Sequence, residues 1–194
     1  GFPPTMHTSP SDLLAGMRGT NRFLLDLIEH PGEVKAAIAA MSRNFEKIFR
    51  ELSAIPHAHG YEGYGNWWPI WCPEPLGVFQ SDVSCMMSPA MVEEFVIPHI
   101  EITSSFVTHA CYHLDGPGAI VHVERICEVP GIHTIQWVPG AAAQPGALQW
   151  MGLFKRIQAR GRSVYFGLRK ADLETVIREL DPRRMILGMG ASSV

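Results

Sequence analysis

The sequence has little charge, and none of it is concentrated. Charged residues make up 18% of the 194 positions, with 16 lysines and arginines against 19 aspartates and glutamates and a net charge of −3. The absence of a lysine/arginine cluster argues against a nucleic-acid partner or an anionic membrane surface. No apolar run approaches the roughly 20 residues that a membrane-spanning helix needs, so no membrane partner is expected. The four cysteines, Cys72, Cys85, Cys111 and Cys127, include no C-x-x-C pair. That usage points to a reduced, cytoplasmic setting. Neither a G-x-G-x-x-G nor a Walker loop is present, which removes the motif support for an open-sheet nucleotide binder.

What is present is an ordinary globular composition, 46% hydrophobic, in a chain long enough for one domain over residues 1–194 with a substantial core. Position 1 is Gly, and the chain stops at Met185–Val194, a buried-strand pattern running into a loop. These ends suggest a piece of a longer domain.

Residues 1–19 read as loop with at most a turn of helix. A helix over Thr20–Glu29 follows. Pro31 stands at a first-turn position, and a long helix is predicted to about Ser53. Its stripe is Val34, Ala37, Ile38, Met41, Phe45, Ile48, Phe49 and Leu52. Residues 55–77 break the pattern with prolines, glycines and Trp67, Trp68 and Trp71. Such a loop could wall a pocket, and His57-x-His59-x-x-Glu62 could ligate a metal; the alternative is a loop packed on itself with its histidines in water. Val78–Ser84 reads as a strand with polar residues at its end. Ser88-Pro89 then launches a helix toward Val107 that Pro98 should kink. Strands over Thr108–His113, His133–Val138, Ser163–Leu168 and Met185–Met189 alternate with helices over Ala119–Glu128, Ala147–Arg160 and Ala171–Leu180. Leu173, Val176, Ile177 and Leu180 are the expected core face of the last helix. These are βαβ units, hence α/β with parallel sheet.

The centre of this pattern is Cys111-Tyr112-His113-Leu114-Asp115-Gly116-Pro117-Gly118. Strand alternation puts Cys111, His113 and Asp115 on one face and Tyr112 and Leu114 on the other. The two glycines permit a sharp turn at the strand's C-terminal end, where parallel α/β folds do their chemistry. Asp82 occupies the same kind of position one strand earlier. The plainer reading is a hydrogen-bonded His113–Asp115 pair holding a turn, with Asp82 as a loop cap.

Several pieces in order resemble the uroporphyrinogen decarboxylase superfamily, which includes the cobalamin-dependent methyltransferases. They are Asp82 with Ser88-Pro89 and Glu94-Phe95-x-x-Pro98, then His113-Leu114-Asp115-Gly116, then Ile135-Gln136-Trp137. The resemblance covers about residues 20–190. It implies a (β/α)8 TIM barrel of which this chain would be the C-terminal two-thirds. It further implies a site at His113, Asp115 and Asp82, with Trp67, Trp68, Trp137 and Gln136 against the substrate.

The methyltransferase branch binds zinc through H-x-C and a later cysteine. Here Asp115 stands at the first cysteine's place and Met189 near the second. A zinc site would then use His113 and Asp115, with Asp82, Cys85 or a loop histidine as third ligand. The leading expectation is a corrinoid-linked methyltransferase acting on a small methoxy, methylamine or thiol substrate, its cobalamin supplied by a partner protein. In it Asp82 or Asp115 could instead protonate a leaving oxygen. The alternatives are a metal-independent decarboxylase with Arg125 or Arg169 clamping a carboxylate, and a non-catalytic small-molecule-binding barrel.

Overall fold

Ser9 and Pro10 start the first helix. The Ser9 hydroxyl accepts the Asp12 amide at 3.3 Å, and a proline in the first turn sacrifices no helical hydrogen bond. The computed structural model describes residues 9–65, 70–140 and 146–189. Within them α1 (Pro10–Arg18), α2 (Thr20–Glu29) and α3 (Pro31–Ala58) follow one another. Pro10–Arg18, in a stretch read from sequence as loop with at most a turn of helix, is thus a nine-residue helix. α3 also outruns its expected end at Ser53, carrying Pro56 in its last turns. The Pro56 carbonyl is still used there, accepting the amides of His59 and Tyr61. Val34, Ile38, Phe45 and Phe49 form the buried face of α3, whereas Ile48 of the expected stripe is exposed.

A short antiparallel pair, β1 (Tyr64–Gly65) and β2 (Trp71–Cys72), precedes the main sheet. That sheet consists of β3 (Leu76–Gln80), β4 (His109–Asp115), β5 (Thr134–Val138), β6 (Ser163–Gly167) and β7 (Met185–Gly188). All five run parallel and are ordered as in the chain. The fold is therefore α/β. The crossovers carry α4 (Pro89–Phe95), α5 (Ile97–Ser104), α6 (Val123–Glu128), α7 (Met151–Ala159) and α8 (Leu173–Glu179). α4 and α5 are the halves of the one helix predicted around Pro98. Pro98 has no amide to offer the Glu94 carbonyl, so the helix divides at Val96. The Ser88 hydroxyl accepts the Met91 amide at 3.2 Å, as its position before Pro89 leads one to expect.

The two faces of the sheet differ in kind. Phe79, Tyr112, Leu114, Ile135, Trp137, Val164 and Phe166 join residues of α3 to α8 in one continuous core. Phe154 of α7 stacks on Phe166 with ring centroids 4.1 Å apart. Full burial of such side chains contributes about 1.5–3 kcal/mol each. On α8, Val176 and Leu180 reach this core while Ile177 stays exposed, one position off the stripe read from sequence. The opposite face carries a smaller cluster, Val78, Cys111 and Tyr165 with Ile70 against it. Above it lies a row in strict register across four strands: Gln80, His113, Gln136 and Tyr165. A row of polar side chains on a parallel sheet is costly unless it is hydrogen-bonded or functional.

Candidate metal centre at the C-terminal ends of β3 and β4

β4 ends in His113-Leu114-Asp115, and alternation aims His113 and Asp115 away from the helix-packed core that holds Tyr112 and Leu114. Gly116 lets the chain leave the strand at φ +79°, a conformation costly for any residue with a Cβ. Its amide stays bound to the Val138 carbonyl at 2.8 Å. Gly118 permits close approach, since a Cβ there would stand 2.8 Å from the Cys85 carbonyl oxygen. The turn after β4 is thereby pressed against the turn after β3.

That second turn, a 3-10 segment over Asp82–Met86, is fastened from several sides. Asp12 of α1 accepts the backbone amides of Asp82 at 3.0 Å and Val83 at 2.9 Å. Ser11 and Ser81 share a hydroxyl hydrogen bond at 2.9 Å. The buried His122 ring donates through Nε2 to the Ser84 carbonyl at 3.0 Å. Gln80 donates from Nε2 to Asp82 Oδ2 at 3.1 Å. These contacts hold Asp82 in place.

The result is a group of three: one ligand atom each from Asp82, His113 and Asp115, all within 4.8 Å of one another. His113 donates from Nδ1 to the amide oxygen of Gln136, which places the lone pair of the neutral ring on Nε2. Oδ1 of Asp115 is buried and has no hydrogen-bond partner among the described residues. No lysine or arginine pairs with Asp12, Asp82 or Asp115 among them either. Burial, then the neighbouring Asp12 and Asp115 carboxylates, hold the Asp82 carboxyl above its usual range, while His113 pulls it the other way. Burial and the same three carboxylates push the exposed Cys85 thiol up. This concentration of negative charge around one imidazole suits a cation. Asp and His are donors that zinc accepts.

Of the residues named from sequence, His113, Asp115 and Asp82 come together, and Gln136 meets them as the hydrogen-bond partner of His113. Trp137 pairs in register with Leu114 and lies on the helix-packed face, opposite to His113. There its ring meets Trp150 edge-on at 4.8 Å. Trp67 and Trp68 lie outside the described residues. Met189 is exposed beyond β7. His57, His59 and Glu62 are not gathered; His57 Nε2 donates to the Gly63 carbonyl and its ring stands edge-on to Tyr64. The arginines suggested as carboxylate clamps are engaged on the helices. Arg125 bridges Glu93 and Glu101, and Arg169 grips Asp172.

Reading the sequence missed Asp12 and Gln80. The Ser9-Pro10-Ser11-Asp12 helix start was a usable local signal for α1, but nothing local ties Asp12 to a turn 70 residues later. Gln80 was legible as the residue two before Asp82 on an alternating strand. Set against known proteins, the chain matches no family model, no curated protein and no solved structure.

Proposed function

We propose that this chain is a uroporphyrinogen decarboxylase-like enzyme of the methyltransferase kind, holding a zinc-like cation through His113, Asp115 and Asp82. The reaction would move a methyl group from a small methoxy, methylamine or thiol compound to a corrinoid carried by a partner protein. The observation that carries the reading is the convergence of three hard or borderline donors at the C-terminal ends of two adjacent parallel strands. The strand order, consecutive and without reversal, is the order a (β/α)8 barrel requires, and the polar row on the face away from the helices suits a barrel interior. Engagement of Arg125 and Arg169 elsewhere disfavours the metal-independent decarboxylase.

A bound cation would act as a Lewis acid toward the heteroatom that bears the methyl group. The chain's own residues do the rest. Gln136 fixes the ring plane and tautomer of His113. Gln80 and Asp12 fix Asp82 and its turn. Asp115 supplies the buried oxygen that has no other partner.

The test is metal content of the protein purified without chelator, compared with His113→Ala and Asp115→Ala. It is followed by methyl transfer to cob(I)alamin from methoxy, methylamine and thiol donors. The expected result is near-stoichiometric metal at this site, lost in both variants, together with turnover of one donor class. Retention of full metal content in both variants would remove the site. Bound metal with no turnover of any donor in the presence of free corrinoid would remove the methyltransferase assignment.

A further inference from the structure

The opposite end of the sheet carries a second set of donors. Cys72 ends β2, Glu74 lies in the turn that follows, and His109 opens β4; one ligand atom from each lies within 4.8 Å of the others. Cys72 Sγ stands 3.3 Å from Glu74 Oε2, and that oxygen stands 3.6 Å from His109 Nε2. In a tetrahedral zinc site with the usual bond lengths, such sulfur–oxygen and nitrogen–oxygen edges measure about 3.3–3.5 Å. The donors therefore already stand near ligating separations.

Their backbones are fixed as well. The sequence is Cys72-Pro73-Glu74-Pro75, so both donor residues precede a proline and are confined to extended conformations. The Pro75 carbonyl accepts the amides of Thr108 and His109, each at 3.0 Å, which ties the Glu74 turn to the start of β4. Little conformational freedom remains to be lost when a metal arrives. The His133 ring has its centroid 6.1 Å from that of His109. It is not a fourth ligand in this arrangement, because its Nδ1 accepts the Ala110 amide at 3.2 Å and its proton must then sit on Nε2. A cavity of about 220 Å³ lies beside these donors, lined by Cys72, His109, Cys111, His133 and Ile186 among others.

We infer that Cys72, Glu74 and His109 form a second metal site, of borderline-soft character, at the N-terminal end of the sheet. One thiolate, one imidazole and one carboxylate are a borderline donor set that suits zinc, with water or a small ligand from the cavity completing a tetrahedron. On binding, Cys72 gives its thiol proton to solvent and Glu74 exchanges its contacts with Cys72 and His109 for the metal. The site clamps the β1–β2 pair to the main sheet.

Cobalt(II) titration of the whole chain separates this site from the one at His113, because only a thiolate gives a near-ultraviolet ligand-to-metal charge-transfer band. The expected result is such a band with the amplitude of one cobalt–thiolate centre per chain, quenched by zinc. Cys72→Ser should abolish it, Cys85→Ser should retain it, and Glu74→Gln should weaken cobalt binding more than tenfold. The band should survive His113→Ala and Asp115→Ala, which remove a separate, band-silent equivalent. Absence of the band, its survival in Cys72→Ser, or unchanged affinity in both Glu74→Gln and His109→Asn would overturn the inference. The last two variants keep size and polarity at exposed positions, so the answer does not rest on Cys72→Ser alone.

Discussion

The two ends of the parallel sheet gather similar donors by different physical means. At the C-terminal end, Asp82, His113 and Asp115 sit on turns whose geometry is imposed from a distance, by Asp12 and Ser11 of α1, by His122 and by Gln136. At the N-terminal end, Cys72, Glu74 and His109 are positioned by local stiffness, two prolines and a pair of backbone hydrogen bonds to Pro75. The first end is acidic, and Asp12 and Asp115 help burial to hold the Asp82 carboxyl above its usual range; the second offers three donors of different chemistry, a thiol, a carboxylate and an imidazole. The first construction can be tuned from many positions and is correspondingly easy to damage. The second depends on its donors and on the Pro73 and Pro75 turn between them.

The contrast is sharpest at Gln136. Gln136→Leu keeps the volume but removes the acceptor for His113 Nδ1, and loss of such a partner behind a metal-bound imidazole costs about 10–100-fold in metal affinity. Binding at the His113 site should weaken by that amount while the Cys72 charge-transfer band is unchanged. Equal weakening of both sites, measured by competitive metal titration, would break the distinction between the ends.

Asp12 tests whether the first end is held from α1. Asp12→Ala leaves the amides of Asp82 and Val83 without their carboxylate, and hydrogen bonds to a charged group are worth about 1.5–3 kcal/mol. Urea unfolding should show a loss of about 2 kcal/mol, with weaker metal binding at His113 and none of that weakening at Cys72. A variant as stable as the parent would show that the turn after β3 holds itself.

A third test concerns neither end and serves to separate acid release of metal from acid unfolding. His99 of α5 is buried, neither ring nitrogen has a hydrogen-bond partner among the described residues, and burial pushes its pKa down to about 3. The unfolded chain takes up this proton near pH 6.5 and the folded chain only near 3. Between those values the unfolded state binds more protons, so stability falls as pH falls, by up to about 1.4 kcal/mol per pH unit. Denaturant midpoints for His99→Leu should therefore decline less steeply between pH 6.5 and pH 4 than those of the parent. Parallel slopes would remove His99 as the cause.

Much of the layout was legible from residues alone. The β4 alternation that sends His113 and Asp115 one way and Tyr112 and Leu114 the other is a consequence of strand geometry and needs no partner to be inferred. The Ser88-Pro89 start and the break near Pro98 are equally local, one a hydroxyl cap and the other a missing amide. α1 and the end of α3 were misjudged because proline and glycine were weighed above the helix-compatible residues between them. Trp137 was expected against the substrate because the family resemblance put its strand end near the site, whereas the register with Leu114 puts it on the other face.

The sequence by itself determined the alternation of strand and helix, the faces of β4 and the kinds of donor available, since these depend on backbone period and side-chain chemistry. Only the tertiary structure decided which donors meet. Asp12 reaches a turn 70 residues away, Gln136 reaches His113 across a strand pair, and Glu74 reaches His109 across the foot of the sheet. Such meetings follow from strand order and register, which are settled by burying one continuous apolar face, and no local pattern of residues records them.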